Sequence, residues 1–237
     1  VLEAIRKSAK NLSSGIIDIP LYNKEIIEGL SETGVNAQEG FYDLRLLEIN
    51  SLERNEEHSF FNCNTWKEAV EKLECKEWDE AKVINWFTTP IFDTPFPVED
   101  SKSELRIGIV GGARFCKLGN HRLAAAKVWM LDNKPKQPTL QKVHYYYYPV
   151  EPTAIRLLRD GLQNDVHVSF GLDGTGLKHL FVQYKKKWEL YQLRDGYELI
   201  KSGRCKLMGK LHTRNYTLEL IPKPLIEVLL NDTWPNI

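Results

Sequence analysis

The chain has 237 residues, with 32 Lys plus Arg balanced by 32 Asp plus Glu, 42% hydrophobic and 27% charged residues. That length suits one large domain or two small ones with a substantial core. A zero formal charge argues against coating nucleic acid by charge alone, and no apolar run nears the ~18 residues of a membrane span.

In chain order, residues 1–13 and 22–30 read as short helices, separated by "GIIDIPLYN" with its helix breakers Gly15 and Pro20. "VLEAIRKSAKNLSSGI" at the start lacks the apolar centre of a signal peptide. "LRLLEI", 44–49, reads as a strand entering a core, and "SLERNEEHSF" follows as a polar loop. Thr65 to Glu68 form a capping-box pattern, which predicts a helix to about Cys75, and a second helix is expected over Asp79 to Asn85. "TTPIFDTPFPV" holds three prolines and is expected to be extended or at an edge. "ELRIGIV" and "ARFCKL" read as strands joined by a Gly111-Gly112 turn.

The second of these strands runs into "GNHRLAAAK". Leu123 to Lys127 should be helical, because Ala and Leu lose little side-chain freedom in a helix. Asn120 stands where an N-cap belongs, with its side-chain oxygen placed to accept from a first-turn N–H. His121 and Arg122 then fall in the first turn, where the helix dipole disfavours cations. A bound anion at the helix start accounts for them, and Gly119 would let it approach the backbone. The plainer alternatives are a simple cap, a histidine on a carbonyl and an arginine paired with a carboxylate.

"TLQKVHYYYYPV" is rich in β-formers and reads as a strand. Stacking on bases is one use for its tyrosines, but alternation puts Tyr145 and Tyr147 on the face opposite Tyr146 and Tyr148. Past Pro152 comes a short amphipathic helix, then three stretches that read as β-hairpins with Asp195-Gly196 as one turn, then a closing helix "KPLIEVLLN". "GLDGTGL" is neither a phosphate-binding nor a dinucleotide fingerprint. Arg204, Lys206, Lys210 and Arg214 form a basic cluster that suits either phosphate contact or a solvated strand face. The four cysteines, Cys63, Cys75, Cys116 and Cys205, form no C-x-x-C pair and no zinc spacing, which suggests free thiols in a reducing cytoplasm.

The middle of the chain, residues 44 to about 150, resembles the ParB/sulfiredoxin superfamily. The resemblance rests on "LRLLEINSLE", "TTPIF", "LRIGIVGGARFCKL" and "GNHRLAAAK", in that order. It implies a nucleotide site (ATP, ADP or CTP, with Mg) whose phosphates sit on Gly119, Asn120, His121 and Arg122. The corresponding box is Gly-Glu-Arg-Arg in partition proteins, Gly-Cys-His-Arg in sulfiredoxins and Gly-His-His-Arg in a free-serine kinase branch. Asn120 replaces the sulfiredoxin cysteine, Leu118 stands where an acidic residue is common, and the double arginine of partition proteins is absent. The kinase branch places a catalytic glutamate in the loop after the first strand, and Glu56 falls there, with Glu53 and Glu57 as competitors. A carboxylate at that place could take a proton from an attacking hydroxyl.

The expectation is therefore an α+β protein. Residues 1–150 would form a ParB/sulfiredoxin-like α/β domain with N-terminal helices, and 151–237 a smaller β-rich domain. The leading function is phosphoryl transfer or phosphodiester chemistry, with catalytic Glu56, His121 and Arg122. The rivals are a ParB-type DNA-binding module and a ParB-like nuclease. No metal ligands, no membrane partner and a cytoplasmic location are expected.

Overall fold

The computed structural model describes residues 1–53, 59–60, 62–74, 77–98, 104–164, 166–204 and 216–232. It is an α+β protein with two five-stranded sheets. The chain divides into two compact units, one of residues 1–24, 38–109 and 114–147, the other of 25–37, 110–113 and 148–237.

The first unit opens with α1 (Leu2–Asn11) and α2 (Ser14–Ile17), and α3 (Lys24–Gly29) starts at its edge. Strand β1 spans Gln38–Arg45, a 3-10 turn spans Leu46–Glu48, and β2 spans Ile49–Ser51. The strand expected over 44–49 is thus the junction of two strands. Leu46 turns into the core while Leu47 stays 52% exposed, so the apolar run marks a bend.

Helix α4 (Trp66–Glu71) begins as the capping box predicts. The Thr65 hydroxyl accepts from the Glu68 N–H at 3.3 Å, and the Glu68 carboxylate accepts from the Asn64 N–H at 2.6 Å. Asp79 caps α5 (Glu80–Thr88) through the Lys82 N–H. Strands β3 (Arg106–Val110) and β4 (Ala113–Leu118) flank the Gly111-Gly112 turn, α6 runs Asn120–Asn133, and β5 runs Thr139–Tyr148.

The sheet order is β1-β5-β3-β4-β2, with β1 antiparallel to β5 and β2 parallel to β4. Helix α6 packs on α1, α4 and the 3-10 turn, burying Leu123 to Ala126 completely. Tyr147 is buried and Tyr145 meets Tyr42 edge-on, while Tyr146 packs against His144 on the opposite face.

In the second unit Glu151 caps α7 (Pro152–Gln163), accepting from the Ala154 N–H at 2.7 Å. Strands β6 (His167–Asp173), β7 (Lys178–Gln183), β8 (Lys187–Leu193), β9 (Tyr197–Arg204) and β10 (Tyr216–Leu220) form an antiparallel sheet in the order β10-β6-β7-β8-β9. Helix α8 (Lys223–Leu230) packs on α7. Among the described residues no helix is long and apolar enough to cross a membrane.

Candidate functional site: the turn at the start of α6

Strand β4 ends at Leu118, and the chain turns through Gly119 at φ 99° and ψ 37°. That left-handed conformation makes Gly119, not Asn120, the N-cap, because only glycine adopts it without steric cost. A Cβ at Gly119 would also lie 2.9 Å from the tip of Leu105. Gly119→Ala is therefore expected to lower stability by about 1–2 kcal/mol, measured by denaturant unfolding. Unchanged stability would mean that the turn relaxes away from this conformation.

The expected cap by Asn120 is corrected by this geometry. Asn120 is the first helical residue, only 7% exposed, and its side-chain oxygen accepts from the Glu53 N–H at 2.9 Å. It ties the helix start to the chain leaving β2. Among the described residues no side-chain cap of α6 is seen.

His121 is also tied to the protein. Its Nδ1 accepts from the Glu74 N–H at 3.3 Å, so the ring proton lies on Nε2, 2.7 Å from the Ser59 hydroxyl oxygen. The ring packs against Phe60, with centroids 4.6 Å apart and planes tilted by 32°. With this tautomer His121 donates to Ser59 rather than taking its proton, so the pair is not poised as nucleophile and base. The imidazole positions the segments around Ser59 and Glu74.

Arg122 is the cation of the turn. Its guanidinium lies 5.2 Å from the centre of the Phe96 ring, and burial lowers its pKa without discharging it. Lys117 stands one strand residue before Leu118, over the Tyr146 ring at 5.1 Å. Gly119 to Arg122, Lys117, Leu118, Glu53, Glu74, Trp78 and Phe96 line a cleft of about 490 Å³. Two cations, the start of a 14-residue helix and two aromatic rings thus face one space.

Among the described residues, Glu53 and Glu74 are the cleft's carboxylates. Glu53 is ion-paired with Lys24. Glu56, the expected catalytic glutamate, lies outside the described residues, as do Glu57, Lys206, Lys210 and Arg214. Arg204 closes β9 in the second unit. Cys116 is wholly buried behind the turn, and burial pushes its thiol up to about 12, so it is not a nucleophile.

No family model, curated protein or solved structure matches this chain.

Sequence reading alone missed Ser59, Glu74, Trp78, Phe96 and Lys117. Lys117 had a usable signal, being two residues before the glycine turn on the strand that feeds it. The others arrive from segments up to 62 residues away, as the Ser59–His121 contact illustrates.

Proposed function

We propose that the chain binds a nucleotide by its phosphates at the Gly119–Arg122 turn and performs phosphoryl transfer or phosphodiester chemistry there. The observation that carries this reading is the cleft at the start of α6, where Arg122 and Lys117 meet the aromatic rings of Trp78 and Phe96. Arginine and lysine at a helix N-terminus suit phosphate, and aromatic faces suit a base. A volume near 490 Å³ falls in the range of small-ligand pockets. The resemblance to the ParB/sulfiredoxin superfamily points to the same turn.

In this reading Arg122 is the principal phosphate contact, and Lys117 is a second positive charge. Asn120 and His121 keep the turn in shape, so their contribution is positional. Glu56 stays the proposed base, on the resemblance alone. A magnesium ion accompanying the phosphates would neutralise their charge, leaving positioning as the protein's main task.

Calorimetric titration with ATP, ADP and CTP, each with Mg²⁺, tests the proposal. Saturable binding of at least one nucleotide below ~1 mM is expected, and no binding of any at that level would overturn it. Plasmid nicking in the presence of metal would then separate phosphodiester cleavage from phosphoryl transfer.

A further inference from the structure

On the face of the first unit's sheet that carries Tyr146, three side chains from distant parts of the chain meet. His144 lies on β5, Asp93 in the segment after α5, and Glu104 just before β3. The segment is held beside β5 by the Ile91 N–H on the Gln141 carbonyl at 2.9 Å and the Phe92 N–H on the Lys142 carbonyl at 3.0 Å. One donor atom from each of Asp93, Glu104 and His144 lies within 4.8 Å of the others.

The orientation of His144 makes this more than an acidic patch. Its Nδ1 is fully buried and makes no hydrogen bond. It faces Asp93 Oδ1 at 3.4 Å and Glu104 Oε1 at 3.5 Å. On the other side of the ring, Glu39 Oε2 lies 3.5 Å from Nε2. With the proton on Nε2, toward Glu39, the Nδ1 lone pair is aimed at the two carboxylate oxygens, which is the tautomer a metal-ligating histidine uses. In that form a cation between the three groups would be held by one nitrogen and two carboxylate oxygens.

The distances suit a metal ion better than a hydrogen bond. An N···O separation near 3.4 Å is long for N–H···O. Two ligands each about 2.1 Å from a tetrahedral metal are separated by about 3.4 Å. Arg106 is ion-paired with Glu104 and holds that carboxylate in place, as ligating carboxylates usually are held. Its single charge does not balance Glu39, Asp93 and Glu104 together.

We infer that Asp93, Glu104 and His144 form a binding site for a divalent first-row transition metal ion, with Zn²⁺ the best fit. One imidazole nitrogen and two carboxylates suit Zn²⁺, whereas Mg²⁺ prefers oxygen ligands and its own waters. Three protein ligands leave a fourth position open, the pattern of zinc sites that act on a substrate or water. The inference is independent of the phosphate-binding turn and stands or falls separately from it.

The test is titration of the metal-stripped full chain with Zn²⁺ by calorimetry and with Co²⁺ by visible absorption, comparing wild type with Asp93→Asn and Glu104→Gln. Asp93→Asn is a clean probe, because Asp93 sits at φ 57°, a conformation asparagine also tolerates. The expected result is one equivalent bound in the micromolar range, with a tetrahedral Co²⁺ spectrum. Both variants should weaken it at least ~10-fold with unchanged circular dichroism, and Mg²⁺ should not compete. Absence of binding at ~1 mM Zn²⁺, or undiminished binding in both folded variants, would overturn the assignment. So would equal affinity for Mg²⁺.

Discussion

Arg122→Ala is expected to weaken nucleotide binding about 10- to 150-fold. A charge-assisted contact to phosphate contributes roughly 1.5–3 kcal/mol, and each 1.4 kcal/mol is a factor of ten. The structure sharpens this expectation, because His121 has its Nδ1 committed to the Glu74 N–H and its Nε2 to Ser59, leaving Arg122 as the turn's charged side chain. Folding should change little. The contact of the guanidinium with Phe96 is worth about 0.5–1 kcal/mol. Calorimetry on the variant, paired with urea unfolding, checks both halves. Unaltered affinity in a folded Arg122→Ala protein would remove the main support for a phosphate site here.

The second large effect concerns a residue on the same helix, about one and a half turns beyond Arg122. Lys127 is 1% exposed. Its ammonium lies 4.0 Å from the centre of the Trp66 ring and 3.5 Å from the Ile49 carbonyl oxygen. Burial pulls its pKa from 10.5 down to about 7. Between those values the unfolded chain holds the proton and the folded chain does not. The unfolded state therefore binds more protons, and stability rises with pH across that window. Below about pH 7 the full cost of the buried charge is present.

Lys127→Met fills similar space without the charge, so it should stabilise the protein by about 2–5 kcal/mol near pH 6, the Trp66 contact offsetting part of the gain. The difference should shrink to nothing above about pH 10. Urea unfolding of both proteins across this range is the measurement. A destabilised variant near pH 6 would mean that the ammonium is a net contributor to the fold.

Much of the first unit was legible from local signals. The Thr65 and Asp79 caps, the Gly111-Gly112 turn and the β-formers of β5 act within a few residues, so their outcome does not depend on distant chain. Strand β1 was not legible. It is an edge strand whose burial alternates only near its end, and Gly40 interrupts the β-forming residues. The Leu44–Ile49 run misled because Leu46 and Leu47 belong to a turn, where one is buried and the other is not.

At the candidate site the sequence indicated the turn but not the division of labour. Gly119 takes the cap because it alone adopts positive φ there, and this frees Asn120 to reach Glu53. The cluster of Asp93, Glu104 and His144 was invisible for a different reason. Asp93 and His144 are brought together by backbone hydrogen bonds between residues about 50 positions apart, which no spacing rule encodes.

The most direct test of a phosphate site at the start of α6 is a crystal structure of the chain with Mg²⁺ and whichever of ATP, ADP or CTP binds best. A nucleotide bound here would put phosphate oxygens within about 3 Å of the Arg122 guanidinium and the first-turn N–H groups of α6, with the base toward Trp78 or Phe96. A nucleotide seated elsewhere, with no phosphate at residues 119–122, would contradict it.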